Sequence, residues 1–229
     1  MKRVTCAVGM AAALLMAAAP AKAQTTTAAA APAASANAPS VNMWYVGGFA
    51  GIGAVQNVGA LISAEAGVRV YRGIDVIAEA GWAQDVVTRR QSDLTAKVAT
   101  YLQNTQGKPA SSSVVAPAKF GMVGVRYVID FSNSFHTYLI GEVGGASVEY
   151  QPTFTLDGSD VTGTLPTYGV TLGSDLKSTQ SKVAYGGGLG VWYTRGQWFV
   201  DGGVRLLSIQ TDSQATNVMR AQIGFGVRF

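Results

Sequence analysis

A two-residue alternation of apolar side chains with polar or small ones constrains this chain more than any other feature. In the last such segment, Ile223, Phe225 and Val227 share one face, and glycine, glutamine or arginine stands between and beside them. Successive side chains of a strand point to opposite faces, so the alternation predicts β-strands. It predicts eight of them, at 43–55, 59–71, 74–87, 118–129, 135–150, 182–195, 198–210 and 217–229.

Two architectures carry such strands, a soluble sandwich that buries the apolar face and a membrane barrel that presents it to lipid. The apolar face carries almost no charge over all eight segments, and only 13% of the chain is charged, against about 25% in soluble domains. The other face is rich in glycine, which a solvated sheet has no reason to prefer. We therefore predict an all-β fold, an eight-stranded antiparallel transmembrane β-barrel.

The connections between the segments alternate in length and predict the orientation of the barrel. Residues 72–73, 130–134 and 196–197 form short turns, whereas 88–117 and 151–181 are two long polar segments. Outer-membrane barrels place short turns in the periplasm and long loops outside the cell, which puts the N-terminus in the periplasm. Aromatic side chains are then expected at both membrane interfaces. The candidates are Trp44, Trp82, Tyr127, Tyr185, Tyr193 and Trp198.

The first 42 residues predict export rather than a folded domain. Residues 1–23 resemble a secretory signal peptide, with Lys2 and Arg3 before an apolar stretch and Ala21-Lys22-Ala23 as the cleavage site. Residues 24–42 read as a flexible linker rich in Ala, Thr and Pro, and residues 43–229 as the barrel. Cleavage would leave 14 basic residues against 13 acidic ones, so no basic surface predicts nucleic-acid binding.

The signal, the amphipathic strands and the ending Ile223-Gly-Phe-Gly-Val-Arg-Phe229 resemble the small outer-membrane β-barrel proteins. That group includes the OmpA transmembrane domain, OmpX and the opacity-type proteins. The resemblance implies a location in the bacterial cell outer membrane, with phospholipid and lipopolysaccharide as surroundings. It also implies that Phe225 and Phe229 are part of a signal for the barrel-assembly machinery.

The polar face collects charges of both signs. The two-residue alternation along each strand places the following side chains in the lumen: Glu65, Arg69, Glu79, Arg126, Glu142, Asp201, Arg205 and Arg220. Four acids against four bases predict a paired network, because a buried charge without a partner is costly. The network could be a structural plug that holds the barrel shape, or it could form a selective pore or a charged gate. Narrow eight-stranded interiors are usually filled by side chains, which favours the plug.

Catalysis is not expected from this sequence. Barrel enzymes of the resembled group use a His and a Ser at the outer side, but the only histidine, His136, follows a predicted periplasmic turn. We expect no metal and no cofactor. Arg89 and Arg90, at the start of the first long segment, could contact lipopolysaccharide or simply be solvated.

The sequence thus predicts a monomeric, non-catalytic barrel that serves envelope integrity or surface binding, with no partner identified. A narrow passive channel or carrier of small molecules is the alternative.

Overall fold

The computed structural model describes residues 43–173, 176, 179–210 and 215–229. The predicted signal peptide and linker lie outside the described residues. Three strands come first: β1 (Trp44–Ala54), β2 (Val58–Tyr71) and β3 (Ile74–Ala83). Helix α1 (Arg89–Gln106) and strand β4 (Ala110–Val115) follow. The remaining strands are β5 (Ala118–Asp130), β6 (Phe135–Glu149), β7 (Gln151–Leu156), β8 (Ser159–Asp160), β9 (Thr179–Arg195), β10 (Trp198–Gln210) and β11 (Ala215–Arg228).

Eight of these strands close into an antiparallel barrel. Their order around it is β1, β11, β10, β9, β6, β5, β3 and β2. The first and last strands pair along nearly their whole length, from Tyr45 opposite Arg228 to Ala54 opposite Met219. Closure gives every barrel strand a hydrogen-bonded neighbour on both sides, as a spanning sheet requires in lipid. The predicted fold class and the eight predicted strands are confirmed.

Strand β3 ends earlier than the alternation predicts, at Ala83 rather than at residue 87. The side chain of Asp85 explains the difference. Its Oδ1 accepts hydrogen bonds from the backbone N–H groups of Val87 (3.0 Å) and Ala116 (3.2 Å). These bonds turn the chain out of the sheet and tie the two ends of the first long segment together.

The outer wall of the barrel is apolar and exposed, and the inner wall is buried. Valine, isoleucine, leucine and aromatic side chains stand outward on all eight strands, Ile62, Leu189 and Ile223 each by more than half of their surface. A continuous exposed apolar surface of this extent is not stable in water. Among the described residues, no helix is both long and apolar enough to cross a membrane.

The two long segments are folded, whereas the sequence predicted polar loops. Strands β4, β7 and β8 form a second, three-stranded sheet, helix α1 contacts it, and a 3-10 helix spans Thr162–Tyr168. We call residues 88–115 and 151–172 the extension. The end of the barrel that carries the extension is called the extension end, and the opposite end is called the turn end.

The extension has an apolar core of its own. Leu102 on α1, Phe154 and Leu156 on β7, and Val161 and Leu165 beside them are buried against one another. Thr88 begins the helix and donates its N–H to the side chain of Gln91 (2.8 Å), and Gly107 ends it with a left-handed φ of 65°. The extension is therefore a packed unit rather than a pair of loops.

Candidate functional site: the barrel interior

Aromatic rings fill the barrel interior at the turn end. Tyr45, Trp192 and Phe199 pack edge to face, with ring centroids 4.9–5.8 Å apart. Ile77, Val128, Tyr138 and Ile140 complete this cluster. These buried rings fill much of the interior at this end.

A network of acidic and basic side chains occupies the middle of the interior. The two arginines Arg205 and Arg220 bridge three glutamates from other strands. Arg205 contacts Glu65 at 2.8 Å and Glu79 at 3.1 Å. Arg220 contacts Glu79 at 3.0 Å and Glu142 at 3.4 Å. The side chains in these pairs are fully buried, so removing any one of them would leave a charge without its partner.

Arg126 joins the ionic network to the aromatic layer. Its guanidinium pairs with Glu65 and lies over the rings of Tyr138 (4.3 Å) and Trp192 (5.1 Å). The hydroxyl of Tyr45 donates to Glu65 (2.9 Å) and that of Tyr138 to Asp201 (2.8 Å). The tyrosine hydroxyls therefore belong to the network. Tyr45 was not among the residues predicted to belong to it, although the alternation of β1 places that side chain inward.

Arg69 lies apart from the other predicted lumen residues. It is opposite Asp75 in the β2–β3 register, nearer the turn end, and its Nε bonds Asp75 Oδ1 at 2.8 Å. The central network therefore holds four carboxyl groups and three arginines rather than the predicted four and four. The pairing of neighbouring strands β2 and β3 places Arg69 directly opposite Asp75.

A second apolar layer closes the interior at the extension end. Its inward residues include Leu61, Phe120, Leu207 and Ile209, each at most 5% exposed. Val86 and Val87, at the root of the extension, pack into the same cluster. The interior is thus filled at three levels, by rings, by ion pairs and by aliphatic side chains.

Inward glycines give the ionic network its room. A Cβ atom on Gly188 of β9 would lie 2.8 Å from both Cα and Cγ of Arg205 on the neighbouring strand. The missing side chain lets Arg205 lie across the wall and reach the glutamates on the far side. The excess of glycine on the polar face therefore reflects lumen filling.

The predicted interface aromatics stand on the outer wall. Trp44, Tyr127, Tyr193 and Trp198 lie at the turn end, and Trp82 and Tyr185 lie toward the extension end. Phe225 stacks on Trp198 with centroids 5.1 Å apart, and Phe229 is 72% exposed. Aromatic side chains of this kind are enriched where a membrane meets water.

His136 lies between a carboxylate and a hydroxyl group at the turn end of the barrel. His136 Nδ1 lies 2.6 Å from Asp130 Oδ1, and its Nε2 lies 3.3 Å from the hydroxyl of Thr194, which is buried in the wall at the turn end. No group of three or more potential metal ligands occurs among the described residues. Arg89 and Arg90 lie at the start of α1, and both are exposed.

Comparisons with known proteins find structural likeness to several outer-membrane proteins. Neisserial surface protein A is 14% identical over 83% of this chain and 98% of its own, with a TM-score of 0.50. The N-terminal β-barrel domain of OprF from Pseudomonas aeruginosa is 13% identical over 81% and 97% of the two chains, with a TM-score of 0.45. A major outer membrane protein from Thermus thermophilus is 13% identical over 82% and 99%, with a TM-score of 0.46.

This chain has the fold of a small outer-membrane β-barrel. No family model and no curated protein matches the sequence. At such low identity the likeness shows the fold and leaves the function to be argued from the residues.

Proposed function

We propose that this protein is a non-catalytic barrel of the bacterial outer membrane that anchors the folded extension at the cell surface. The filled interior carries this proposal. Arg126, Arg205 and Arg220 are among the most buried side chains of the described chain, each 0% exposed, and packed layers lie on both sides of them. A barrel filled in this way serves as a rigid support rather than as a passage.

The outer wall supports the membrane location. Its exposed apolar belt needs lipid, and strands of 10–17 residues match or exceed the roughly 9–11 that a tilted strand needs to cross a bilayer. Barrels of this class place their longer connections outside the cell. The extension then faces outward, available for envelope integrity or for binding a partner.

Contacts with phospholipid and lipopolysaccharide, and reading of Phe225 and Phe229 by the barrel-assembly machinery, belong to the same proposal. The alternative, a narrow channel or carrier, requires an open path that the three filled layers oppose.

Single-channel recording tests the proposal. We expect the purified barrel, inserted into a planar bilayer, to give no conductance steps above noise, because buried rings, ion pairs and aliphatic side chains occupy its interior. A general porin, inserted in the same bilayer, serves as the positive control. Regular steps from the wild-type barrel would contradict the proposal and favour the channel.

A further inference from the structure

A groove of about 330 Å³ crosses the outer wall near the extension end, over β5, β6 and β9. Gly121 and Gly145 form its floor, and they are opposite each other in the β5–β6 register. A Cβ atom on Gly121 would meet nothing within 4 Å. The floor is therefore open to the lipid side, and neither glycine is needed there for packing inside the barrel.

The groove has a row of mostly polar residues on the side of its floor that faces the extension end, and a row of apolar and aromatic residues on the side that faces the turn end. The register aligns Trp82, Lys119, Ser147 and Ser181 across four strands on the side of the extension. It aligns Val123, Val143 and Tyr185 on the side of the barrel middle. A ligand in the groove would meet a cation and two hydroxyls at one end and aliphatic and aromatic surface at the other.

Lys119 is the distinctive residue of this surface. It is exposed on the lipid-facing side of β5, where the outward residues that follow it through the membrane are glycine, valine, tyrosine and isoleucine. No ion pair joins Lys119 to another residue of the described chain. Glu149, two positions along β6 from Ser147, the residue opposite Lys119, accepts a hydrogen bond from the side chain of Gln151 (3.1 Å). The charge of Lys119 is thus available to an anion.

We propose that this groove binds one phosphorylated glycolipid of the outer leaflet, the lipid A portion of lipopolysaccharide. An acyl chain lies on the glycine floor beside Val123 and Tyr185, a phosphate pairs with Lys119, and Ser147 and Ser181 bond the sugar hydroxyls. An aliphatic lysine stem can lie on an apolar wall while its ammonium group reaches the headgroup level. The proposal rests on the outward orientation of the extension, but the binding itself can be measured without it.

The test is native mass spectrometry of the purified barrel in detergent with added lipid A. We expect one adduct per barrel in the wild type, weakened by salt because exposed charge pairs are screened. Lys119→Gln should weaken the adduct about tenfold, the value of one charge-assisted hydrogen bond. Gly121→Leu should weaken it too by filling the floor, and it should fold, since a Cβ atom at this outward position has no neighbour within 4 Å. Lys97→Gln, on the exposed helix, is the matched control and should leave binding unchanged.

Three outcomes would overturn the proposal. The first is equal binding by wild type and Lys119→Gln. The second is equal binding of lipid A and its dephosphorylated form, which would mean an acyl site without phosphate recognition. The third is a dimer of the barrel that forms without lipid and is lost in Gly121→Leu, which would make the groove an interface between two copies. Excess inorganic phosphate is added as a competitor. Free phosphate should not displace lipid A if the groove recognises the whole lipid. Displacement by free phosphate would mean that the groove recognises the phosphate alone.

Discussion

Arg205→Ala is expected to cost the barrel about 3–5 kcal/mol in free energy of unfolding. Arg205 contacts Glu65, Glu79 and Glu142 at 2.8–3.6 Å, and all these side chains are fully buried. Its loss leaves carboxylates in the lumen without their counter-charge and opens a cavity beside Phe49, whose ring it covers. Equilibrium unfolding by guanidinium chloride in detergent measures the change.

Lys97→Ala is the matched control, because Lys97 is exposed on α1 and its replacement removes the same sign of charge. A change within about 0.5 kcal/mol is expected there. Equal losses for the two variants would mean that the interior is hydrated enough to solvate its charges, as in a wet pore.

Phe154→Ala is expected to unfold the extension while the barrel remains closed. Phe154 is fully buried in the small core of the extension, against Leu102 and Leu165. Truncating a buried phenylalanine costs about 3–5 kcal/mol, which is a large share of the stability of a unit of this size. Limited trypsin digestion should then cut at Lys97 much faster than in the wild type.

Tyr101→Ala is the matched control for that variant, since it removes an aromatic ring from α1 that is 47% exposed. It should leave the digestion rate close to that of the wild type. Both variants should still migrate as compact barrels without boiling. A Phe154→Ala protein that loses the compact form would show that the extension and the barrel unfold as one unit.

The barrel could be predicted from the sequence because its signal is strong and local. An alternation over 10–17 residues states which side chains face lipid, and the Arg72-Gly73 and Gly196-Gln197 turns fix which strands are neighbours. The same alternation also placed the side chains of Glu65, Arg126 and Arg205 inside the barrel. The alternation shows only whether a side chain points inward or outward. It could not show that Arg69 would pair with the neighbouring Asp75.

The extension was missed because its pattern is weak. The buried positions of α1 are Thr95, Ala99 and Leu102, so the helix has little apolar periodicity. Its core depends on residues from β7 and from the segment after β8, about 50–60 positions away along the chain. Two local signals were nonetheless present: Thr88 with Gln91 three residues later is a capping pair, and Gly107 is a typical helix end.

Thiol labelling of intact cells tests the central claim, a barrel that spans the outer membrane with its extension outside. Cys6 is the only cysteine and lies in the predicted signal peptide, so single cysteines can be added to a thiol-free mature chain. A membrane-impermeant maleimide should label Lys97→Cys, on the extension, in intact cells. It should label Asn133→Cys, in the turn between β5 and β6, only after the outer membrane is permeabilised. Labelling of Asn133→Cys but not of Lys97→Cys in intact cells would reverse the orientation, and equal labelling of both would contradict a membrane-spanning barrel.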